Sequence, residues 1–494
     1  MEEIVSTYDV LILGGGINGI GIAAQSSRSG FDTLLLETSD LASQTSSSSS
    51  KLIHGGLRYL EHYQFNLVFE SINARNSLMR KANYFIKPQE FVIVRNNFSR
   101  PLWLTRIGTF IYDLFSKKSI LPKSTLINLN KFTELKENSG KSVSYYDAKE
   151  DDARLVILTA IDARNHGATI LTNATPINYT PNQDSTWNVK FKHNGVMHNV
   201  NTKTIINVTG VRAKQTHELI SKSKSKYDIS WVKGSHLVIK KFYTHNKAFL
   251  IPVANNRIIF LIPYLEKYLL IGTTEIKIDT LDNSHLVSST EHQYLLEAIN
   301  DNFKTMLTTS DIVWEYSGVR TLISNNENLT QTSREHKIET IANNGAQLIS
   351  VYGGKITTFE SLSLQVLKII KQKIDKTPAS PNQCTFPGFC SENYLSDLLN
   401  SYRWAGKELV TRWFDNYGTI SKLFLSDVNQ ESDMGRNFGH GLYEREVNYL
   451  IENEWACTID DILWRRTKLG LIFSEHNSTL LKNWLQQRMD ALNG

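Results

Sequence analysis

The chain has 494 residues, of which 41% are hydrophobic and 21% charged, a balance typical of a folded globular protein and unlike that of a disordered one. The formal net charge of +5 suits an anionic substrate or membrane surface, and without a lysine and arginine block it does not indicate a nucleic-acid partner. Three cysteines without metal-ligand spacing argue against a disulfide framework and a zinc site, so we expect no metal. An acidic start and no apolar run of about 18 to 20 residues predict a cytoplasmic protein, or one attached to a membrane from its cytoplasmic side.

The start of the chain, YDVLILGGGINGIGIAAQSSRSGFDTLLLE from Tyr8 to Glu37, has the order strand, glycine turn, helix, strand and acid. For a dinucleotide ligand, Gly14 permits a tight turn, Gly16 lets the backbone approach a pyrophosphate, and Gly19 lets helix and strand pack closely. The phosphates would lie at the helix N-terminus, and Glu37 is placed to accept hydrogen bonds from an adenosine ribose. The alternative is a glycine-rich structural turn. The pattern predicts a dinucleotide site but does not separate a nicotinamide from a flavin.

A serine-rich segment follows, SDLASQTSSSSSK from Ser39 to Lys51, and leads into a glycine turn that carries His54, Arg58 and Tyr59. On composition alone such a tract is a flexible linker. Between a nucleotide-binding strand and a glycine turn it also suits a cofactor, because small hydroxyl groups and free N–H groups can bind a pyrophosphate and the polar edge of a flavin. Both interpretations stay open at this point.

Helical periodicity predicts two helices in the next part of the chain. Phe65, Val68, Phe69 and Ile72 recur at helical spacing, and this stripe is typical of a core-facing helix. Residues 100–118, RPLWLTRIGTFIYDLFSKK, predict an amphipathic helix with bases around one apolar face. That face is formed by Trp103, Ile107, Phe110, Ile111, Leu114 and Phe115. Such a helix can lie in a membrane interface, and the alternative is a helix packed on a domain.

Strands dominate the prediction for the middle of the chain. Two short strands, 187–191 and 196–200, are joined by Asn194-Gly195 as a hairpin, and 202–210 is a third strand that ends in a glycine turn. Meander-like spacing predicts an antiparallel sheet facing the cofactor domain, with strands at 235–239, 248–252, 257–262 and 268–274. Residues 311–322 predict a strand running into a turn. Residues 347–359 predict the same order of elements as the start of the chain: a strand, a glycine turn at Gly353-Gly354 and a helix.

Eight motifs, read together and in order, carry a family resemblance. They are LILGGGINGIGIA (11–23), TSSSSSKLIHGGLRYLEHY (45–63), DDARL (151–155), KGSH (233–236), IGTT (271–274), YSGVR (316–320), GGKITT (353–358) and LWRRTKLG (463–470). This set, which covers almost the whole chain, closely resembles the FAD-dependent glycerol-3-phosphate dehydrogenases of the aerobic bacterial type. The resemblance implies an α/β fold: a discontinuous, Rossmann-like FAD-binding domain of the D-amino-acid-oxidase or glutathione-reductase type, an antiparallel-sheet substrate domain and a C-terminal helical domain.

The resemblance also implies domain limits, an activity and partners. The FAD-binding domain is expected at 1–85, 150–215 and 345–376, the substrate domain at 86–149 and 216–344, and the C-terminal domain at 389–494. The implied reaction is oxidation of sn-glycerol 3-phosphate to dihydroxyacetone phosphate by hydride transfer from C2 to flavin N5, with electrons passed to ubiquinone or menaquinone. It implies a homodimer attached peripherally to the inner face of the cytoplasmic membrane, with segment 100–118 facing the anionic lipid surface.

Matching positions in the family motifs imply the site residues. The expected FAD contacts are Gly14, Gly16, Asn18, Gly19, Glu37, Ser47, Ser48, Ser50, Lys51, His54, Gly210, Gly353, Gly354, Lys355 and Thr357. The expected catalytic residues are His236, Lys355, Arg58 and Tyr59, and the expected substrate contacts are Arg320, Arg334 and Thr274.

Each charged candidate has a chemical reason. A dianionic phosphate favours planar, permanently charged forks, which Arg320, at a strand-end turn, and Arg334 would supply. Lys355 stands at a predicted helix start, where the dipole disfavours a cation, so an anion on the substrate oxygen or the reduced flavin explains it better. His236 is the first candidate for the base that removes the C2 hydroxyl proton, and His54 is the second.

The chain departs from the family pattern at a few positions, and two other functions stay open. The departures are Val211-Arg212, Glu275, Thr321, residues 324–326 and Glu360. One alternative function is a flavin oxidase of the same fold that uses oxygen on another small anionic hydroxy or amine substrate. The other is a degenerate flavin-binding protein without catalysis. A nicotinamide dehydrogenase is disfavoured, because the serine-rich loop and the late Gly-Gly-Lys turn have no evident role in one.

Overall fold

The computed structural model describes residues 4–116, 119–136, 140–323, 336–374 and 385–493. In these ranges the strands are β1 (Thr7–Leu13), β2 (Thr33–Leu36), β3 (Leu52–Ile53), β4 (Lys87–Ile93), β5 (Thr125–Asn128), β6 (Lys141–Lys149), β7 (Thr169–Leu171), β8 (Ala174–Pro181), β9 (Trp187–His193), β10 (Val196–Asn207), β11 (Ile229–Lys240), β12 (Ala248–Val253), β13 (Arg257–Tyr264), β14 (Tyr268–Gly272), β15 (Ile276–Ile278), β16 (Ile312–Ile323), β17 (Lys337–Asn343) and β18 (Ala346–Tyr352). The α-helices are α1 (Ile17–Arg28), α2 (Phe65–Lys81), α3 (Leu102–Phe115), α4 (Asp152–Asn165), α5 (Ala213–Ser221), α6 (Ser289–Asn302), α7 (Phe359–Lys373), α8 (Tyr394–Ser401), α9 (Gly406–Tyr417), α10 (Lys422–Leu425), α11 (Glu444–Asn453) and α12 (Glu475–Asn493).

The first sheet is the dinucleotide-binding sheet, with the strand order β17-β18-β10-β1-β2-β7. Strands β18, β10, β1, β2 and β7 run parallel, and β17 is an antiparallel edge. One face packs on α1, α4 and α7, and the β8-β9 hairpin layer covers the other with the buried Trp187 and Phe191. Because parallel strands need both faces covered, their sequences are apolar runs and not alternating ones.

The predicted hairpin at Asn194-Gly195 is confirmed. Both residues have positive φ (48° and 82°), as in the two-residue turns whose twist matches that of the strands they join. The predicted strands 196–200 and 202–210 are one strand, β10, so that division was wrong. Residues 196–202 of β10 pair antiparallel with β9, and residues 201–207 pair parallel with β1. The polarity pattern changes along a continuous strand because its neighbours change.

The second sheet has the order β15-β11-β14-β13-β12-β4-β6-β3, with β16 beside β11 and β5 beside β6. The predicted antiparallel meander is confirmed for β11, β14, β13 and β12, and β12 continues in parallel to β4. One face buries Leu237, Phe249 and Leu261 against α6, and the other packs on α2, α3 and the segment between β3 and α2. This sheet contacts the dinucleotide-binding sheet where β16 meets β18, and the two sheets belong to the α/β architecture that the sequence predicted.

The helices after residue 390 form one core with the dinucleotide-binding sheet, because their buried residues Trp413, Leu450 and Ile462 belong to the same cluster as Val10 and Ile20. A π-helical turn at Asp461–Arg466 interrupts this region. The predicted C-terminal helical domain is confirmed.

Helix α3 presents an apolar face to solvent. Trp103 is 65% exposed and Phe110 61%, whereas Thr109 and Tyr112 are buried against the body of the protein. Phe65 and Phe69 of α2 are also exposed and contact Phe115 edge-on, so assigning their stripe to the core was wrong for these two and right for Val68 and Ile72. Among the described residues, no helix is both long and apolar enough to cross a membrane.

Candidate functional site

The turn between β1 and α1 has the geometry that a dinucleotide needs. Gly14 has φ +114°, a value that side-chain-bearing residues rarely adopt, and a Cβ on Gly19 would lie 1.9 Å from the Gly14 carbonyl oxygen. Backbone and helix therefore approach as closely as the fingerprint predicts. The Glu37 carboxylate reaches back to this turn, where its Oε2 accepts a hydrogen bond from the Gly15 N–H at 2.6 Å.

A second glycine turn meets the first at the N-terminus of α1. Asn18 donates through Nδ2 to the Gly353 carbonyl at 3.3 Å, and a Cβ on Gly354 would lie 2.6 Å from that same Nδ2. Asn18 Oδ1 is buried and, within the described part of the chain, has no hydrogen-bond partner. Two bare glycine turns and an unused amide oxygen at a helix N-terminus fit a pyrophosphate-linked cofactor.

The serine-rich segment is an ordered part of the site and not a linker. The Ser46 hydroxyl accepts a hydrogen bond from the Ile17 N–H at 3.0 Å. Ser49 donates to the Asp152 carboxylate through its N–H at 2.9 Å and its hydroxyl at 2.7 Å. Lys51 Nζ lies 2.8 Å from Asp152 Oδ1, with both side chains buried. A carboxylate at the start of α4 thus fixes the loop.

The same segment touches the second sheet along β16 and β11. Thr45 donates to the Val319 carbonyl at 2.6 Å, and the Tyr316 hydroxyl donates to the Ser49 carbonyl at 2.6 Å. Ser50 Oγ and His236 Nε2 share a hydrogen bond of 2.9 Å. The loop therefore bridges the dinucleotide helix and the substrate-side sheet, which brings the two halves of the predicted site together.

His236 lies in the middle of β11, not at a strand start as predicted, and is 3% exposed. Its ring stacks on Tyr316 with centroids 4.9 Å apart. Burial, followed by the nearby cations Lys51 and Arg320, lowers the pKa of His236 from 6.5 to about 3. The imidazole is therefore neutral at physiological pH, the form that accepts a proton.

Arg320 lies within β16, where it pairs with Val232 of β11, so the predicted strand-end turn was wrong. Its Nη2 lies 3.6 Å from Glu275 Oε1, and it would lie 3.0 Å from a Cβ on Gly234. Its side chain is 35% exposed. Arg334, the predicted second phosphate contact, lies outside the described residues.

Lys355 and Tyr59 form a third group. Lys355 Nζ lies 4.1 Å from the centroid of the Tyr59 ring, and the His54 ring lies 6.5 Å from that ring. Helix α7 begins at Phe359, after a 3-10 turn, so Lys355 precedes the helix and is not its first residue. Arg58 belongs to the 3-10 helix Leu57–His62 that follows the His54 turn.

Some predicted contacts have other partners. Thr274 is buried, where its hydroxyl donates to Glu291 at 2.8 Å and accepts from the Ser235 N–H at 2.9 Å. Burial raises the pKa of Glu291, but hydrogen bonds from Lys233 and Ser235 lower it to about 2. These bonds join Thr274 to β11 and to Glu291 of α6, and the Thr274 hydroxyl has both of its partners there.

The remaining cofactor candidates lie in the serine-rich segment, in the turn after β10 and in the turn before α7. Ser47 accepts from Lys51 Nζ through its carbonyl at 3.0 Å, and Ser48 packs on Gly318. Gly210, with φ +60°, opens a 3-10 turn after β10, and Thr357 is buried beside α7. The structure brings Ser47 and Ser48 to the site described here.

Two residues of the site were missed in the sequence. Asp152 was quoted only as part of a motif, and Tyr316 was given no role. The available signal was the pair of adjacent acids at a helix start: Asp151 accepts the cap hydrogen bond from the Arg154 N–H at 3.1 Å, which leaves the second acid for another task.

Comparison with known proteins shows the family to which the chain belongs. Residues 9–358 match the FAD dependent oxidoreductase family, and residues 382–490 match the C-terminal domain of alpha-glycerophosphate oxidase. The chain is 37% identical to glycerol-3-phosphate dehydrogenase of Pseudomonas aeruginosa, over 98% of this chain and 96% of that protein. It is 36% identical to aerobic glycerol-3-phosphate dehydrogenase of Escherichia coli, over 98% and 99%. The chain belongs to the FAD-dependent glycerol-3-phosphate dehydrogenase family.

Solved structures bear out the fold. A glycerol-3-phosphate dehydrogenase from Bacillus halodurans complexed with FAD matches with a TM-score of 0.74 and 22% identity, covering 97% of this chain and 94% of that one. FAD is the cofactor of this flavoenzyme. It supplies the hydride-accepting chemistry of the family, and Gly14–Gly16, Asn18, Glu37 and the serine-rich segment would hold it.

Two departures from the family pattern have structural partners of their own. Glu360 accepts two hydrogen bonds from Lys81 Nζ, at 2.8 and 3.0 Å, which ties α7 to α2. The Val211 carbonyl accepts from Trp231 Nε1 at 3.0 Å, so an indole from β11 packs where the loop of this flavoenzyme departs from the pattern. Residues 324–326 lie outside the described residues.

The lowered pKa of His236 predicts a loss of stability in acid. Between pH 6.5 and about 3 the imidazole of His236 binds a proton in the unfolded chain but not in the folded chain. Acid therefore favours the unfolded chain: the free energy of unfolding is unaffected by this group above pH 6.5 and decreases as the pH falls below it. At pH 5 the loss amounts to about 2 kcal/mol. We expect the difference in unfolding free energy between wild type and His236→Gln to shrink by that amount from pH 7.5 to pH 5, in urea titrations. The exposed His476→Gln is the control, and a difference that does not change with pH would contradict the assignment.

Proposed function

We propose that this protein oxidises sn-glycerol 3-phosphate to dihydroxyacetone phosphate, with the hydride leaving C2 for N5 of FAD. The observation that carries the proposal is full-length identity of 36–37% with two enzymes named for this substrate. A third relative, at 34%, is named D-erythritol 1-phosphate dehydrogenase, so the substrate class is a polyol phosphate with an oxidisable hydroxyl. A site beside Arg320, Lys51 and His236 suits an anionic polyol.

Arg320 is the proposed contact for the phosphate. Its guanidinium is permanently charged and partly exposed, and a planar fork matches two phosphate oxygens. Glu275 Oε1 lies 3.6 Å from Arg320 Nη2. Arg334 remains a predicted second contact on the basis of the resemblance. Thr274 also remains a predicted substrate contact, although its hydroxyl already has two hydrogen-bond partners in the protein.

His236 is the proposed base for the C2 hydroxyl. Burial, Lys51 and Arg320 hold its pKa near 3 in the free site, so the ring enters the reaction neutral. A substrate phosphate on Arg320 offsets that cation, and the pKa of the imidazole rises toward the range in which a base is effective. The Ser50 hydroxyl on Nε2 orients the ring. His54 remains the alternative base.

Lys355 is proposed to stabilise negative charge that develops during hydride transfer. Its Nζ lies against the Tyr59 ring face, which keeps the cation in a partly apolar setting where a charge acts strongly. Arg58 and Tyr59 are proposed to border the substrate from the same turn.

We further propose that electrons pass to membrane ubiquinone or menaquinone, with α3 lying in the interface on the cytoplasmic side. The exposed apolar face of α3 continues onto Phe65 and Phe69, and an aromatic-rich face of this kind has no covering element among the described residues. A homodimer, implied by the family resemblance, is part of the same prediction. An oxygen-using oxidase and a non-catalytic flavin protein are the alternatives that the assays below separate.

The activity is tested by anaerobic visible spectra of the holoenzyme before and after addition of sn-glycerol 3-phosphate. We expect the bound flavin to bleach with this substrate and not with glycerol, because the phosphate is needed for binding. Bleaching by D-erythritol 1-phosphate alone would move the substrate assignment to the longer polyol. A flavin that stays oxidised with both sn-glycerol 3-phosphate and D-erythritol 1-phosphate would contradict the proposal and favour a non-catalytic protein. Rapid oxygen consumption by the reduced enzyme would favour an oxidase.

Replacement of Arg320 is expected to weaken substrate binding selectively. Arg320→Ala removes a charge-assisted contact, so KM for sn-glycerol 3-phosphate should rise about 10- to 100-fold while bound FAD is retained. Arg320→Lys should recover part of the loss, because it restores the charge without the fork. The exposed Arg436→Ala serves as the control in steady-state assays, and an unchanged KM in Arg320→Ala would remove this residue from the phosphate site.

The membrane role of α3 is tested by charge substitution on its exposed face. Phe110→Glu with Leu114→Glu should move the protein from vesicle pellets to the supernatant without loss of flavin, because two buried carboxylates oppose insertion into anionic lipid. A matched control places the same charges at two exposed apolar residues elsewhere, Met306→Glu with Leu423→Glu. Equal sedimentation of both double variants with phosphatidylglycerol vesicles would exclude α3 as the docking face.

A further inference from the structure

The loop after Glu37 is held against the glycine turn that receives the cofactor. The Gly15 N–H donates to Glu37 Oε2 at 2.6 Å, and the Ala42 N–H donates to the Gly15 carbonyl at 3.1 Å. Leu41 packs so closely that a Cβ on Gly15 would lie 2.8 Å from its Cδ2. The position of Glu37 at the adenosine end of a dinucleotide therefore depends on the path of this loop.

One buried carboxylate, Asp40, anchors the loop, and its partners come from the far end of the chain. Arg466 grips it as a bidentate fork, with Nη1 to Oδ2 and Nη2 to Oδ1 both at 2.7 Å. Arg465 Nε lies 2.5 Å from Oδ2, and Asp461 pairs with the same Arg465. Burial raises the pKa of Asp40, but the two guanidinium groups lower it below its ordinary value, so the carboxylate is charged. The charges of two acids, Asp40 and Asp461, and two arginines, Arg465 and Arg466, neutralise one another in this cluster.

The two arginines are consecutive residues of the π-helical turn Asp461–Arg466. Turns of this kind are rare and occur frequently at functional sites. Arg466 is fully buried and fixed from behind, since its Nε and Nη2 donate to the Glu454 carbonyl at 3.2 and 2.5 Å. The fork that holds Asp40 is therefore rigid and well aligned.

The same stretch of chain also supports the serine-rich segment. The Glu454 carboxylate pairs with Arg154 of α4, and Lys468 Nζ donates to Asp151 at 3.0 Å. Asp152, the next residue of α4, holds Ser49 and Lys51. Residues 454–468 thus brace both loops that form the FAD site, although they contact the cofactor turn only through other residues.

We propose that Arg466, assisted by Arg465, is a positioning residue for FAD: through Asp40 it fixes the loop that presents Glu37, which makes the C-terminal helical domain a requirement for tight cofactor binding. This role concerns retention of the flavin and is independent of which polyol phosphate is oxidised. Without the contacts between Arg466 and Asp40, the loop is less ordered in the protein without FAD. Binding of FAD must then order the loop, and the entropy lost in doing so lowers the affinity.

The test measures release of FAD from the full-length holoenzyme on dilution, by the fluorescence of free flavin. Asp40→Asn keeps the side-chain shape and removes the charge, and we expect the Kd for FAD to rise about tenfold or more. Arg465→Gln removes one of the two guanidinium contacts to Asp40, together with the pair to Asp461, and leaves the Arg466 fork, so we expect a rise of about threefold. Because breaking a buried pair can prevent folding, Arg465→Gln decides the question if Asp40→Asn does not fold.

The control is Asp415→Asn, which breaks the 2.5 Å ion pair between the C-terminal region and Lys87 of β4 and leaves the pairs of Asp40 and Asp152 in place. Its Kd for FAD should stay within about twofold of wild type. Thermal unfolding of each variant separates the two kinds of effect. Variants at Asp40 and Arg465 that unfold at lower temperature but retain FAD as tightly as Asp415→Asn would make the cluster a purely structural tie and overturn the proposal.

Discussion

The site depends on one buried carboxylate, Asp152 at the N-terminus of α4. It accepts hydrogen bonds from the Ser49 N–H, the Ser49 hydroxyl and Lys51 Nζ, and it is fully buried. A buried charge is tolerated only when it is paired and hydrogen-bonded, so these contacts cannot be exchanged for water without a large cost in free energy. A tract of small hydroxyl residues, which would otherwise be mobile, is therefore held in one conformation.

The ordered loop connects the dinucleotide-binding sheet to the second sheet, beside the direct contact of β16 with β18. Ser46 contacts the N-terminus of α1, Thr45 and Ser49 contact β16, and Ser50 contacts His236. The glycine turn before α1 and His236, the proposed base, thus contact one short segment, so we expect a change at α4 to affect both. The Asn18 link to the Gly353 turn closes the same arrangement from the other side.

The C-terminal helical domain takes part in this arrangement through charge. Arg466, Glu454 and Lys468 are buried or nearly so, and each pairs with a group next to a cofactor loop. Replacing such pairs by apolar contacts often costs nothing in stability, so their presence is better explained by the precise placement that directional bonds give. Helix α3 is the opposite case: its outer face has no intramolecular partner among the described residues, and its composition suits a lipid surface.

The sequence by itself determined the elements with strong local signals. Glycine spacing gave the β1-α1 turn, Asn194-Gly195 gave the hairpin, and apolar periodicity gave α3, because each depends on the conformational preferences of neighbouring residues. Ordered motifs also identified the family and most candidate site residues. Only the tertiary structure decided that the serine-rich segment is ordered, that Arg320 lies inside a strand, and that Phe65 and Phe69 are exposed. It alone brought Asp40 to Arg466, which are far apart in the chain. Such contacts depend on how separate elements pack and pair, and no local pattern encodes the partner of a buried charge.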